Sequence, residues 1–171
     1  MSIITRIKNV FSKAKSADLV GVALRQQSIS YFVKKPNGNK CESIETKAHP
    51  ITKTLQYVVD NKSLSGQCCL VLSNTHSQIV QVEKPSVPDA EMNAALKWQI
   101  KDLVSIAPDN MVLDYFDGPT LSGGHEKINV VCAAKNDVIE LITTLADDEL
   151  NLVSITTEEF AFASLLPVQD D

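Results

Sequence analysis

Three histidines, four cysteines and two short acidic clusters are the residues of this 171-residue chain whose types could do chemistry. His49, His76 and His125 fall in stretches that read as turns, and none has the H-E-x-x-H or His-Cys spacing of a metal site. Cys41, Cys68, Cys69 and Cys132 contain no C-x-x-C pair. Cys68 and Cys69 are neighbours in an apparent strand, so their side chains point to opposite faces. All four read as reduced core residues of a cytoplasmic protein. Asp147-Asp148-Glu149 closes a helix, where the dipole does not favour carboxylates, and reads as a solvated corner. Glu158-Glu159 opens a helix, where carboxylates are favourable, so the pair reads as structural and not catalytic. There is no G-x-S-x-G elbow, no G-x-x-x-x-G-K-S/T loop and no G-x-G-x-x-G, and Gly123-Gly124 reads as a hairpin turn. The expectation is a chain without enzymatic activity, metal or cofactor.

With no chemical centre, the elements carry the information. Asp18 to Val33 alternates around Arg25-Gln26-Gln27-Ser28 and reads as two strands joined by a short turn. Asn37-Gly38-Asn39 marks a second turn, followed by a strand through Ser43 to Lys47. Pro50 opens a helix carrying Ile51, Leu55, Val58 and Val59, and Cys68–Leu72 reads as a buried strand. The first part is therefore β-β-β-α-β. From Gln78 the order is strand, helix over about 89–104, strand 111–116, a turn at Ser122-Gly123-Gly124, strand 127–134, helix from Asp137 and strand Leu152–Thr156. That β-α-β-β-α-β order is the split arrangement that packs two helices on one sheet face. A final apolar helix, Glu158–Leu166, has no place in that unit and returns to the first part.

The segment Val80–Asp117 is the most legible of these. Ser86 and Asp89 have the spacing of a capping box, and Pro85 and Pro88 block an earlier helical start. Met92, Leu96, Gln99, Ile100, Leu103 and Val104 share one side of the helix and predict a stripe against a sheet. Trp98 lies off that stripe, on a flank with Glu91, Ala94, Ala95 and Asp102. It is either buried by a wide helix face or the anchor of a second contact surface.

Composition bounds the rest. A chain with 44% hydrophobic residues and mean hydropathy of −0.02 is globular, not disordered. No apolar run approaches the roughly 20 residues of a membrane span, and charge breaks the N-terminal segment every few residues, unlike a signal peptide. Arg6, Lys8, Lys13 and Lys15 precede the first acid, Asp18. Without them 12 Lys and Arg face 21 Asp and Glu, so a body of −9 carries a +4 tip. The acidic body argues against general nucleic-acid binding. Within the tip, Ile3, Ile4, Ile7, Val10, Phe11 and Ala14 gather on about a third of a helical circumference. Arg6 and Lys13 border one edge of that stripe, and Lys8 and Lys15 the other. Such a basic amphipathic helix (residues 1–16) suits docking to a partner or an anionic membrane surface, or packing on its own domain or a neighbouring chain.

Pro85 and Pro88 before Ala95-Leu96-Lys97-Trp98 and Lys101-Asp102-Leu103-Val104, then Asn110, Leu113-Asp114-Tyr115-Phe116-Asp117 and Ile155-Thr156-Thr157-Glu158-Glu159, resemble MshI-type biogenesis proteins of the mannose-sensitive haemagglutinin (MSHA) pilus. These resemble in turn the PilM and FtsA branch of actin-like proteins. The likeness runs from about Asp18 to Leu166. It implies an α/β (α+β) fold: the first lobe of an actin-like (ribonuclease H-like) fold, residues 17–76 plus 157–167, with an inserted subdomain at 77–156. It also implies a non-catalytic assembly protein of a type IV pilus, cytoplasmic and peripheral to the inner membrane. Its partners would be inner-membrane pilus assembly proteins and a cytoplasmic motor ATPase. Actin-like ATPases place an Asp and a Gly in the first β-turn-β to organise Mg²⁺ and phosphate. Here Ala23 stands in the place of the Asp and Arg25 in that of the Gly, and the chain ends before a second lobe, as a short homologue or a fragment would. The alternative is a nucleotide-binding actin-like ATPase or switch that keeps a minimal site.

Overall fold

The computed structural model describes residues 18–35, 37–46, 49–118, 126–146 and 150–163. The chain divides into two compact units, one built from residues up to Thr75 and from Glu140 onward, the other from His76–Ile139. The basic segment 1–16, His125, the Gly123-Gly124 turn and Asp147-Asp148-Glu149 lie outside the described residues.

The first unit holds a five-stranded sheet in the order β3-β2-β1-β4-β8. Its members are β1 (Leu19–Leu24), β2 (Ser28–Lys35), β3 (Gly38–Glu45), β4 (Gly66–Leu72) and β8 (Leu150–Thr157). The first three form an antiparallel meander, and β4 and β8 add in parallel to β1. Strand periodicity decides which side is buried. Val20, Val22 and Leu24 of β1, Ile29, Tyr31 and Val33 of β2, and Cys68, Leu70 and Leu72 of β4 all point to one face and are buried. Helix α1 (Ile51–Lys62) supplies Leu55, Val58 and Val59 to that core. Pro50 fixes its start, and Ser63, with φ of 52°, ends it in the left-handed region. At Gly66 (φ 114°) a Cβ would collide with the Asp18 carbonyl, which accepts a hydrogen bond from Gln67 N–H at 2.9 Å. Only glycine fits where β4 enters beside β1.

In the second unit, β5 (Gln78–Glu83), β6 (Met111–Asp117) and β7 (Lys127–Ala134) form an antiparallel sheet in the order β5-β7-β6. Helix α2 (Asp89–Gln99) packs Met92, Leu96 and the following Ile100 against Val82, Met111, Leu113, Ile128, Val130 and Cys132. Chain then runs through a 3-10 turn (Pro108–Asn110) into β6, and β7 passes directly into α3 (Lys135–Leu145). The Asn110 side-chain oxygen accepts the Asn136 N–H at 3.1 Å and caps the start of α3. The C-terminal half of α3, with buried Leu141 and Leu145, belongs to the first unit, as does α4 (Glu158–Ala163), which packs on β4 and β8.

The α/β class, the β-β-β-α-β start and the element order of the remainder match expectation. The subdomain boundary does not. Strand β8, expected to close the split β-α-β-β-α-β unit, pairs with β4 from Gly66↔Leu150 to Leu72↔Thr157 and leaves the small sheet with three strands. Its alternation predicts a strand but cannot name a partner, and Leu150 and Leu152 are buried opposite Gly66 and Cys68. Helix α2 is also shorter than the predicted 89–104. It ends at Gln99, Leu103 N–H turns back to the Ile100 carbonyl, and Leu103 is 59% exposed and not part of the core. The predicted capping box is not formed: Pro88 occupies the N-cap with no side-chain cap, because the helix begins three residues after Ser86. Cys41 is exposed, since it sits on the outward face of the edge strand β3.

Candidate interaction surfaces

The β1–β2 turn is the place where an actin-like site would bind phosphate. Here β1 runs to buried Leu24, and three exposed residues, Arg25-Gln26-Gln27, connect it to Ser28. Arg25 N–H is used within the turn, donating to the Ser28 carbonyl at 2.9 Å, and the Gln27 carbonyl accepts from Thr46 N–H at 2.9 Å. No carboxylate occurs between Leu19 and Lys35. Ala23 is part-buried on the side of the sheet opposite α1. The turn is a hairpin connection that carries one cationic side chain, Arg25.

An open cleft of about 670 Å³ lies beside β3 and α1, lined by Ile44, Glu45, Thr46, His49, Lys53, Thr54 and Tyr57. β3 is an outer strand of the sheet. Tyr57 stands half exposed at the cleft while Thr46 and Thr54 are buried. None of these residues was singled out for a site from sequence. His49 lines the cleft with its near sequence neighbours Glu45 and Lys53. An edge strand next to an aromatic and a mixed-charge wall suits contact with another chain.

Nearby, Tyr31 O–H donates to Glu42 Oε2 at 2.6 Å and Lys62 Nζ to Oε1 at 2.9 Å, so β2, β3 and the end of α1 meet at one carboxylate. The Lys62 and Tyr31 hydrogen bonds hold the Glu42 carboxyl below its usual range, and Glu42 raises the Lys62 ammonium in return. Lys40 Nζ stands 5.4 Å from the Tyr31 ring centre. Burial pushes the thiol of Cys68 up to about 12, with Cys69 adding a smaller push. It is an inert core residue.

In the second unit Trp98 is 63% exposed. Lys101 Nζ lies 5.5 Å from its ring centre, a cation–π contact at a wet site. Of the two readings of Trp98, burial by its own unit is therefore the wrong one. His76 is half-buried, and burial lowers its pKa against the opposing pull of Asp137. Among the described residues no three His, Cys, Asp or Glu are grouped so as to hold a metal. Nor is any described helix long and apolar enough to cross a membrane. Of the docking residues expected from sequence, Trp98 is described, whereas Ile3, Ile4, Ile7, Lys8, Val10, Phe11 and Lys15 lie outside.

No family model matches the chain, and no curated protein does. Solved structures do match. The cytoplasmic domain of EpsL, an inner-membrane component of the type II secretion system of Vibrio cholerae, superposes with a TM-score of 0.53 at 13% identity, over 82% of this chain and 57% of that one. A PilM-PilN type IV pilus biogenesis complex matches with a TM-score of 0.56 at 18% identity, over 84% and 48%. A Bacteroides thetaiotaomicron protein of unknown function with an actin-like ATPase fold gives 0.53 at 11%, over 96% and 58%. The chain thus spans about half the length of the structures it matches. At these identities the likeness is one of fold, and the fold is that of a single actin-like lobe.

Proposed function

We propose that the chain is a non-catalytic assembly protein of a type IV pilus or related secretion machine. It acts by binding, joining inner-membrane components to a cytoplasmic motor, and the MSHA-type pilus is the system its sequence resembles. It would lie at the cytoplasmic side of the inner membrane, held there by protein partners. The observation that carries the reading is the β1–β2 connection. The first turn of this actin-like lobe offers Arg25-Gln26-Gln27 and Ala23 with no carboxylate, which supports a scaffold role over a nucleotide site. Support comes from the likeness in fold to EpsL and to PilM, one described as a secretion component and the other as part of a pilus biogenesis complex. The exposed Trp98 suits a binding role, because a large aromatic held in water gains most when a partner covers it.

Titration calorimetry with ATP and Mg²⁺ should give no binding heat at high micromolar nucleotide. Affinity capture from the host should retain inner-membrane pilus proteins and a hexameric motor ATPase. Trp98→Ala should weaken that capture while leaving the melting transition unchanged. Stoichiometric ATP binding, or capture free of any inner-membrane pilus protein, would sink the proposal.

A further inference from the structure

β3 is an outer strand of the large sheet, and among the described residues only β2 pairs with it. Its burial differs from that of the opposite edge. Six of the eight residues of β3 are exposed, whereas no residue of β8 is. The register fixes which backbone groups face outward. Thr46 N–H donates to the Gln27 carbonyl at 2.9 Å, and hydrogen-bonded pairs alternate along an antiparallel ladder. Ile44, Glu42 and Lys40 therefore turn their amide groups to β2, and Glu45, Ser43, Cys41 and Asn39 turn theirs to the free edge. Sheets blunt such an edge with proline, a bulge or charged side chains. β3 has no proline, and its register with β2 runs unbroken from Gly38 to Glu45. Its charges are Lys40, Glu42 and Glu45, and the first two have opposite signs on either side of Cys41.

We propose that this edge pairs with itself: two copies of the chain join antiparallel, β3 to β3, and merge their five-stranded sheets into one. Cys41 then stands opposite Cys41, with the two-fold axis between them. Asn39 faces Ser43 of the second copy, Gly38 faces Ile44, and Lys40 of each copy faces Glu42 of the other. The outward amides of Asn39, Cys41 and Ser43 meet as hydrogen-bonded pairs, about six hydrogen bonds in all. Lys40 and Glu42 fall at the positions between, where opposed side chains approach most closely, so an ion pair forms on each side of the axis. Tyr31 and Lys62 already hold the Glu42 carboxylate in place. Charge selects this register. The neighbouring registers that still match outward amides set Lys40 against Lys40 or Glu42 against Glu42, and like charges directly opposite repel. There is room for the helices as well. α1 packs over β2, and the two β2 strands of the pair lie three strand spacings apart, about 14 Å, where packed helices need only about 8–10 Å.

A seam one strand long is a weak contact. Sedimentation of the full chain under reducing conditions should therefore show 18.7 kDa when dilute and approach twice that mass as concentration rises through about 100 μM. At the upper concentration a short bismaleimide should link the copies, and peptide mass spectrometry should find the bridge between Cys41 and Cys41. Cys41 is the exposed thiol, while Cys68 and Cys132 are buried and Cys69 is partly so. Ser43→Pro removes an outward N–H without touching the backbone ladder to β2. It should leave the melting transition in place and weaken association about tenfold or more. Lys40→Glu, which serves if the proline variant fails to fold, sets carboxylate against carboxylate across the seam. It should weaken association by a similar factor at low salt, and added salt should restore part of the loss. A mass that stays at 18.7 kDa throughout overturns the proposal and leaves the edge to a different chain. So does a dimer that neither variant weakens, or one in which Cys41 is not bridged, because its seam then lies elsewhere.

Discussion

Glu42 ties together three elements of the first unit. It accepts from Tyr31 and from Lys62, so one carboxylate joins the sheet's second strand, its edge strand and the end of α1. Both hydrogen bonds favour the ionised form and hold its pKa below the usual 4.5. The folded state therefore binds fewer protons at Glu42 than the unfolded chain does. Stability from this group is fully present above pH 4.5 and is lost as pH falls through the lowered value. Glu42→Gln keeps the shape and removes the charge. Melting temperature followed from pH 7 to pH 3 should fall less steeply for the variant than for the parent, the two curves converging at the acid end. Parallel curves would show that the carboxylate is not engaged in solution. Nothing in the sequence announced this cluster, because Tyr31, Glu42 and Lys62 are brought together only by the β2–β3 register and the length of α1.

Helix α2 separates what periodicity can and cannot tell. Met92, Leu96 and Ile100 follow the predicted stripe into the core, with Leu96 and Ile100 completely buried. Leu103 continues the same arithmetic and yet stands 59% exposed, because the helix has already ended at Gln99. Spacing records where a side chain would point if the helix went on. It does not record that Ile100, whose N–H still reaches the Leu96 carbonyl, caps the helix and that the next residues run into turns. The consequence is a sharp contrast between neighbours of identical type. Leu96→Ala should cost about 2–5 kcal/mol of stability in chemical denaturation, as core truncations do, while Leu103→Ala should fall within about 0.5 kcal/mol of the parent. A large loss at Leu103 would mean that the helix extends through it. Trp98, one turn earlier and equally exposed in character, belongs to the outward side from which sequence alone could offer two readings.

The division into two units was legible in outline and misplaced in detail, and the misplaced strand is the most informative part of the molecule. Everything from Gln78 to Ala134 builds a small sheet with its own core, but the chain then contributes β8 to the large sheet, against β4. A strand of alternating residues fits either sheet. What decides is parallel pairing along the whole of β4, with a bulge in β8 that leaves Val153 without a counterpart and brings Ile155 and Thr157 opposite the inward-pointing Leu70 and Leu72. Because β8 comes after the insertion, the large sheet is completed only by residues that begin 78 positions after Leu72, the end of β4, a long loop closure that folding must achieve before the sheet is whole. Leu152, 2% exposed, is the residue to test this. Leu152→Ala removes core volume from the large sheet only, so native-state hydrogen exchange should speed up at amides of β1 and β4 by about tenfold or more. Amides of β5, β6 and β7 should change far less, since their core of Met92, Leu96, Ile128 and Val130 is untouched. Equal acceleration in both sheets would mean that the two units open as one cooperative body, and selective acceleration in β5–β7 would return β8 to the small sheet.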